Sequence, residues 1–201
     1  MAVRKVGARR LLGESPGGDA GELGKGRETG HRSAIVPGDT APIRRRRLRS
    51  VRAVVQRVIR AEVSADGGVV GAIGPGLVVL VGVTSGDTEK DAAVLATKLT
   101  GLRIFPDADL AMNRSVMEVG GSVLVVSQFT LYGDARRGRR PSFTAAASPE
   151  EAEPLVDKVA ETIERAGVEV RTGRFGARME VELVNDGPVT LILETSGGRL
   201  V

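Results

Sequence analysis

Apolar and polar residues follow regular patterns from residue 51 onward, and these patterns predict strands and helices. Runs of β-branched and aliphatic residues, separated by glycine, proline and aspartate turns, predict the strands. The predicted strands cover residues 51–58 with a continuation over 61–64, then 69–73, 77–83, 123–127, 168–171, 179–184 and 189–194. Asp66-Gly67-Gly68 is a hairpin signal between the first two strands, and Leu77–Val83 is apolar enough for a fully buried strand.

Two segments have the spacing of amphipathic helices. The first is predicted from Thr88 to about Leu102, with Asp87 as its N-cap. The second begins at residues 148–151, Ser-Pro-Glu-Glu, which combine a capping box with proline at the first helical position, and it ends at Gly167. The order of elements predicts one α+β domain over residues 51–201, with two helices packed on a largely antiparallel or mixed sheet.

Residues 1–50 differ from the rest of the chain in pattern and in charge. They hold 12 basic and 5 acidic side chains, nine glycines and no aromatic residue, whereas residues 51–201 hold 17 basic and 20 acidic side chains. We therefore expect a disordered basic extension of charge +7 before a domain of charge −3. The run Arg44–Arg47 with Arg49 fits either a solvated stretch or an arm that attracts phosphate.

The composition limits the chemistry that this chain can perform. It has no cysteine, and its one histidine, His31, lies in the extension. These facts exclude thiolate zinc sites and cysteine nucleophiles, and they exclude a Ser-His-Asp triad or a His-rich metal site in residues 51–201. We expect no metal and no other cofactor. Because no apolar run approaches the ~20 residues that span a bilayer, we expect a soluble protein. The absence of cysteine permits a reducing, cytosolic setting, and we expect a cytoplasmic location.

Polar residues follow a predicted buried strand directly at Ser127-Gln128-Phe129-Thr130. Hydroxyl and amide groups at the end of a rigid strand can line a cleft. The pattern alone, however, favours an ordinary strand-to-turn transition.

Two further segments combine unusual composition with a loop position. Residues 133–143 contain four closely spaced arginines in a domain of net negative charge, which indicates either a polyanionic ligand or a solvent-exposed turn. The four are Arg136, Arg137, Arg139 and Arg140. Residues 185–188, Asn-Asp-Gly-Pro, separate two predicted strands and, taken alone, predict a hairpin loop.

Six segments in this order, from residue 51 to the C-terminus, together resemble the D-aminoacyl-tRNA deacylase family. They are VRAVVQRV at 51–58, GPGLVVLVGV at 74–83, SQFTLYGD at 127–134, GRRPSF at 138–143, GRFGARM at 173–179 and NDGPVT at 185–190. The SQxxL-type and Gly-Pro motifs are the two defining signatures of the family, and both are intact.

The resemblance implies a homodimer with closed or barrel-like sheet packing that hydrolyses the ester joining a D-amino acid to the terminal ribose of tRNA. Glycine mischarged on tRNA(Ala) is an implied substrate as well. The resemblance also implies a cis Gly187–Pro188 bond, inserted from one subunit into the active site of the other, where its carbonyls exclude L-side chains. Phe175, Ala177 and Met179 would form the neighbouring wall of this pocket.

An aminoacyl ester is already activated, so backbone N–H donors near Ser127–Phe129 are expected to stabilise the oxyanion without histidine. Thr130 is either the nucleophile or a group that orients the reactants while the 2′-hydroxyl of the tRNA assists and water attacks. With no base to activate a threonine hydroxyl, we favour the second interpretation. Gln128 then orients the ribose or the carbonyl, and the four arginines contact tRNA.

The family begins with methionine where this chain has Val51. We therefore hypothesise that residues 1–50 are an upstream translation and that the codon for Val51 is the true start, which mass spectrometry of the native N-terminus would test. The sequence leaves two competing functions open. One is a non-catalytic tRNA-binding module that retains the fold, and the other is an esterase of small D-aminoacyl or peptidyl esters.

Overall fold

The strands and helices of the computed structural model begin immediately after Ser50, and the structure describes residues 50–201. The predicted disorder of residues 1–50 and the two interpretations of Arg44–Arg49 therefore concern a segment that, except for Ser50, lies outside the described residues. The strands are β1 (Val51–Ala65), β2 (Gly68–Ile73), β3 (Gly76–Gly82), β4 (Phe105–Pro106), β5 (Met112–Arg114), β6 (Ser122–Ser127), β7 (Glu169–Thr172) and β8 (Met179–Thr195). The helices are α1 (Glu89–Thr100), α2 (Pro149–Arg165) and a short 3₁₀ helix over Phe129–Tyr132.

Six of the strands form one mixed sheet, which confirms the predicted α+β class. The order is β2-β1-β3-β6-β7, and β8 pairs with the other side of β1. β1 is antiparallel to β2, β3 and β8, whereas β3, β6 and β7 are mutually parallel. Because the long β1 pairs with β3 through residues 52–58 and with β2 through residues 61–65, it joins two parts of the sheet, which is nearly closed into a barrel.

Two hydrophobic clusters lie on opposite sides of β3 and β6. The larger cluster packs both helices against Leu77, Val79, Val123 and Val125, and the smaller one contains Val78, Leu124 and Val126. β3 and β6 are therefore buried on both faces, as their continuous apolar runs predict. One face of α1 is buried at Ala92, Leu95, Ala96 and Leu99, which have the spacing of an amphipathic helix. The corresponding residues of α2 are Leu155, Val156, Val159, Ala160 and Ile163.

The two helix starts differ in detail from the sequence prediction. The N-cap of α1 is Thr88 and not Asp87, because Thr88 and Asp91 form a capping box in which Asp91 Oδ2 accepts the Thr88 N–H at 3.1 Å. α2 begins at Pro149 as predicted, but the predicted capping box is wrong, since Ser148 makes no side-chain cap. The Glu151 carboxylate instead accepts a hydrogen bond from Ser85 Oγ at 2.9 Å.

The segment predicted as a hairpin loop at residues 185–188 lies inside one continuous strand, so that prediction is wrong. β8 pairs with β1 on both sides of the segment, Gln56 opposite Thr190 and Val58 opposite Asn185. Four residues of β8, 186–189, therefore stand opposite the single residue Arg57 of β1. The chain bulges out of the ladder here and does not reverse its direction.

Between residues 50 and 201, none of the helices has the length and the apolar composition that crossing a membrane would require.

Candidate active site

The segment Ser127–Thr130 lies where β6 leaves the sheet. Val123–Val126 are buried, and the strand ends when the Gln128 N–H donates to the Val81 carbonyl at 2.7 Å. The chain then turns into the short 3₁₀ helix. The neighbouring position on β3 is Gly82, where a Cβ atom would lie 3.0 Å from the Gln128 carbonyl oxygen. The close approach of these two backbones fixes the position of the polar segment.

A cavity of about 540 Å³ opens beside this segment. It brings six of the predicted site residues together from two distant parts of the sequence: Ser127, Gln128, Phe129, Phe175, Ala177 and Met179. The remaining lining residues are Val81, Val83, Val126, Phe143, Ala146, Ala147, Pro149, Ala152, Val156, Gly176 and Val181. Because most of these side chains are apolar, the few polar groups, at Ser127 and Gln128, are the ones that can fix the orientation of a bound ligand.

Sequence reasoning missed the part of this lining that comes from the start of α2 and the residues before it. Ala152 and Val156 have the helical spacing that predicts core residues, and no local signal separates a residue that lines a cavity from one that fills a core. Phe143 is also a neighbour of Phe129, with ring centroids 5.2 Å apart in an edge-to-face arrangement. Both rings are exposed in part and line the cavity.

Thr130 is exposed and lies outside the set of residues that line the cavity. Its hydroxyl accepts a hydrogen bond from the Gln128 side-chain amide. The backbone N–H groups of Phe129 and Thr130 begin the 3₁₀ helix, where no intrahelical acceptor exists, and the Gln128 side chain does not cap them. Since the Gln128 N–H is already used by Val81, Phe129 and Thr130 are the better candidates for oxyanion donors in this segment.

Gly187 and Pro188 are exposed and do not line the cavity of their own chain. The peptide bond between them is cis, and Gly187 has a φ of +133°, a conformation that favours glycine. The buried guanidinium of Arg57 contacts the preceding residue, with Nε 2.9 Å from Asp186 Oδ2 and 3.2 Å from the Asp186 carbonyl oxygen. The Asn185 side chain bonds to Val189, so the bulge is held from β1 and from within β8.

The four arginines lie in an exposed loop beyond the 3₁₀ helix. Arg136 and Arg137 line a second depression, together with Asp134 and Ser142, whose backbones pair with each other. Arg136 is held by the Asp134 carboxylate through Nε at 2.8 Å and a second nitrogen at 2.5 Å. This hydrogen bonding, with the carboxylate charge, raises the pKa of Arg136 above its ordinary value. Arg139 and Arg140 are exposed outside this depression.

Within residues 50–201, no three histidine, cysteine, aspartate or glutamate side chains come together in a group that could hold a metal ion.

Comparison with known proteins places this geometry in a family. The model of the family D-Tyr-tRNA(Tyr) deacylase matches residues 54–194. The D-aminoacyl-tRNA deacylase of Heliobacterium modesticaldum is 60% identical over 149 residues, which cover 74% of this chain and 99% of that protein. The D-aminoacyl-tRNA deacylase of Thermus aquaticus is 58% identical over 146 residues, covering 73% of this chain and 96% of that protein.

Solved structures share the fold. The structure of the c-Myc DNA Unwinding Element Binding Protein is 38% identical with a TM-score of 0.67, covering 73% of this chain and 99% of that one. A probable eukaryotic D-amino acid tRNA deacylase, 19% identical with a TM-score of 0.64, covers 72% of this chain and 99% of that one. Because the family model matches residues 54–194, which is more than half of the chain, and these relatives are 58–60% identical over nearly their whole length, the chain belongs to the D-Tyr-tRNA(Tyr) deacylase family.

Proposed function

We propose that this protein hydrolyses the ester that joins a D-amino acid, or glycine mischarged on tRNA(Ala), to the terminal ribose of tRNA. The products are the free amino acid and tRNA. The observation that carries the proposal is the cavity that joins Ser127, Gln128 and Phe129 to the Phe175–Met179 wall, in a member of this family. We assign the activity to residues 51–201 and, because aminoacyl-tRNA is the substrate, to the cytoplasm.

The cavity suits the aminoacyl end of such a substrate. Its volume, about 540 Å³, is in the range of small-molecule sites, and its walls are mainly apolar. Apolar walls without a specific polar partner accept many side chains. Gln128 and Ser127, at the polar edge, are the groups that would orient the ribose or the ester carbonyl.

Hydrolysis requires little from the protein, because the ester is already reactive. Water attacks the carbonyl carbon with assistance from the 2′-hydroxyl of the tRNA. The bond between this carbon and the ribose oxygen then breaks, and the ribose oxygen receives the proton that the attacking water loses. The N–H groups of Phe129 and Thr130 would stabilise the oxyanion of the tetrahedral intermediate. Thr130 has an orienting role in this scheme. Its hydroxyl accepts a bond from the Gln128 amide, which is a donor and no base, so nothing at this contact would activate Thr130 as a nucleophile.

Selection of the D-configuration is assigned to Gly187 and Pro188. Their position outside the cavity of their own chain supports a homodimer in which the bulge of one subunit enters the cavity of the other. Backbone carbonyls placed beside the substrate α-carbon would exclude an L-side chain by steric contact, whatever its identity. Exposed apolar side chains on β1 and β8 also support association of two copies. They are Ile59 on β1 and Val184 and Ile192 on β8.

Binding of the tRNA is assigned to the arginine loop, residues 136–140. Arg137, Arg139 and Arg140 are exposed side chains with freedom to reach phosphates, whereas Arg136 is already paired with Asp134. Guanidinium groups contact phosphates bidentately, so a short loop can contribute several contacts in a domain of net negative charge.

The test is a deacylation assay on matched D- and L-aminoacyl-tRNA and on glycyl-tRNA(Ala). We expect turnover of the D-substrate and of the glycyl substrate, with the L-substrate left intact. Equal rates on D- and L-substrates would contradict the chirality filter. Binding of tRNA with no turnover of any substrate would instead establish the alternative function, a non-catalytic tRNA-binding module.

A further inference from the structure

The bulge that carries Gly187 and Pro188 is closed at its base by one side chain. Asn185 Oδ1 accepts the Val189 N–H at 2.8 Å, and Asn185 Nδ2 donates to the Val189 carbonyl at 3.1 Å. The amide of Asn185 therefore pairs with both backbone groups of Val189, as a residue of a neighbouring antiparallel strand would. Residues 186–188 are therefore held between Asn185 and Val189, which these two hydrogen bonds join.

This pair replaces a part of the ladder that the bulge removes. β1 and β8 are in register at Gln56–Thr190 and again at Val58–Asn185, and the residues between them are out of register. Val189 lies in this interrupted stretch, where cross-strand partners are lost. A side-chain amide is suited to replace them because it carries both an acceptor and donors.

We propose that Asn185 is a positioning residue for the chirality filter, setting the place of Gly187 and Pro188 by clamping Val189. The inference rests on the proposed function. Asn185 acts through the backbone that it clamps, and its loss changes where the filter stands relative to the substrate. The selectivity between D- and L-substrates is therefore the quantity that depends on this side chain.

Two substitutions separate the parts of the clamp. Asn185→Ala removes both contacts to Val189. Asn185→Asp keeps an acceptor for the Val189 N–H but places a second acceptor against the Val189 carbonyl, so half of the clamp becomes repulsive. The matched control is Glu182→Ala on the same strand, which removes the cross-strand contact from Arg60 to Glu182 Oε1 at 2.6 Å and does not touch the bulge.

Amide hydrogen exchange of Val189, measured by NMR on the full chain, tests the clamp independently of activity. We expect exchange at Val189 to be about tenfold faster or more in Asn185→Ala, with the amides of Leu191 and Leu193 unchanged. Glu182→Ala should leave Val189 exchange as in wild type. Unchanged exchange at Val189 in Asn185→Ala would overturn the clamp.

Deacylation of matched D- and L-aminoacyl-tRNA then tests the positioning role. We expect the ratio of kcat/KM for the D-substrate to that for the L-substrate to fall about tenfold in both Asn185 variants and not in Glu182→Ala. Faster exchange with an unchanged D/L ratio would overturn the positioning role. Equal wild-type rates on D- and L-substrates would contradict the chirality filter and overturn the positioning role with it, while the exchange result alone would still decide the clamp.

Discussion

The guanidinium of Arg57 lies 2.9 Å from the carboxylate of Asp186, although the two residues are 129 positions apart in sequence. Arg57 is 8% exposed, and it also donates to the carbonyl of Asp186 and to that of Ile104. One buried side chain thus joins β1, the bulge of β8 and the segment after α1. An arginine is suited to this position because its planar fork can serve several acceptors at once.

Replacement of Arg57 by lysine should lower the free energy of unfolding by about 1–3 kcal/mol, since an ammonium group cannot serve both carbonyls and the carboxylate. Urea denaturation of the full chain measures the effect. The matched control is Arg60→Lys on the same strand, whose partner Glu182 is exposed, and its change should stay within about 1 kcal/mol. Equal losses in the free energy of unfolding would contradict the prediction, because they would show that the buried contacts of Arg57 stabilise the fold no more than the exposed pair of Arg60.

Replacement of Thr130 by alanine should lower kcat/KM for D-aminoacyl-tRNA by about 10- to 100-fold, because an orienting hydroxyl is lost and the attacking water remains. Single-turnover kinetics on D-aminoacyl-tRNA give this value. Gln128→Ala removes the donor to the same hydroxyl and should have an effect of similar size. A loss of several orders of magnitude in Thr130→Ala alone would identify Thr130 as the nucleophile.

A larger side chain in the cavity wall should change the enzyme's selectivity for the size of the amino-acid side chain. Ala177 lines the cavity, and Ala177→Leu fills part of its volume. We expect kcat/KM for a bulky D-aminoacyl-tRNA to fall at least about tenfold relative to that for glycyl-tRNA, as a single methylene group in an apolar pocket is worth about 10- to 200-fold. Ala111→Leu, in the exposed hairpin of β4 and β5, is the control and should change neither substrate. A uniform loss on both substrates would argue that the wall does not contact the side chain.

The arginine loop should contribute to tRNA binding unequally. Replacing Arg137, Arg139 or Arg140 by glutamine should reduce the slope of log Kd against log salt by about 0.7–0.9 for each phosphate contact that is lost. Arg136→Gln should change the slope less, because Arg136 is already paired with Asp134. Filter binding of tRNA over a series of salt concentrations measures these slopes. Four equal slope changes would indicate that the Arg136–Asp134 pair opens when tRNA binds.

Tyr132 should make the stability sensitive to alkaline pH. Burial raises its pKa above the ordinary value of 10.0, so the folded state holds the proton more tightly than the unfolded state. The stabilisation is fully present below about pH 10 and is lost as the pH rises through the raised pKa of the folded state. Tyr132 is the only tyrosine of the chain, so tyrosinate absorbance reports this residue alone. Native protein that ionises at the same pH as unfolded protein would contradict the prediction.

Both helices and most of the strands could be predicted from the sequence because their signals are local, whereas the short β4 and β5 carry no such signal and were not predicted. Leu77–Val83 is a continuous apolar run, and the structure contains a strand at Gly76–Gly82 that is buried on both faces. Pro149 starts α2 as its position at the first helical residue predicts. The helix caps were predicted less well, because Asp87 and Thr88 are both good N-cap residues and the choice depends on which one meets Asp91.

The candidate site could be named in part from motifs, but its assembly depends on contacts between distant segments. Ser127 and Phe175 line one cavity because β6 and β7 are neighbours in the sheet, and no local pattern encodes that adjacency. The residues of α2 that complete the cavity have the same apolar character as core residues.

The sequence by itself determined both helices and most of the strands, the family, and the absence of histidine and cysteine chemistry in residues 51–201. Only the tertiary structure showed that the Gly187–Pro188 segment is a bulge within a continuous strand and lies outside the cavity of its own chain. The physical reason is that turn-forming residues specify only a local backbone conformation. Whether that conformation reverses the chain or forms a bulge within one strand depends on the strand that pairs with it. Here β1 continues past the bulge, with Arg57 filling the gap, so the chain returns to the same ladder.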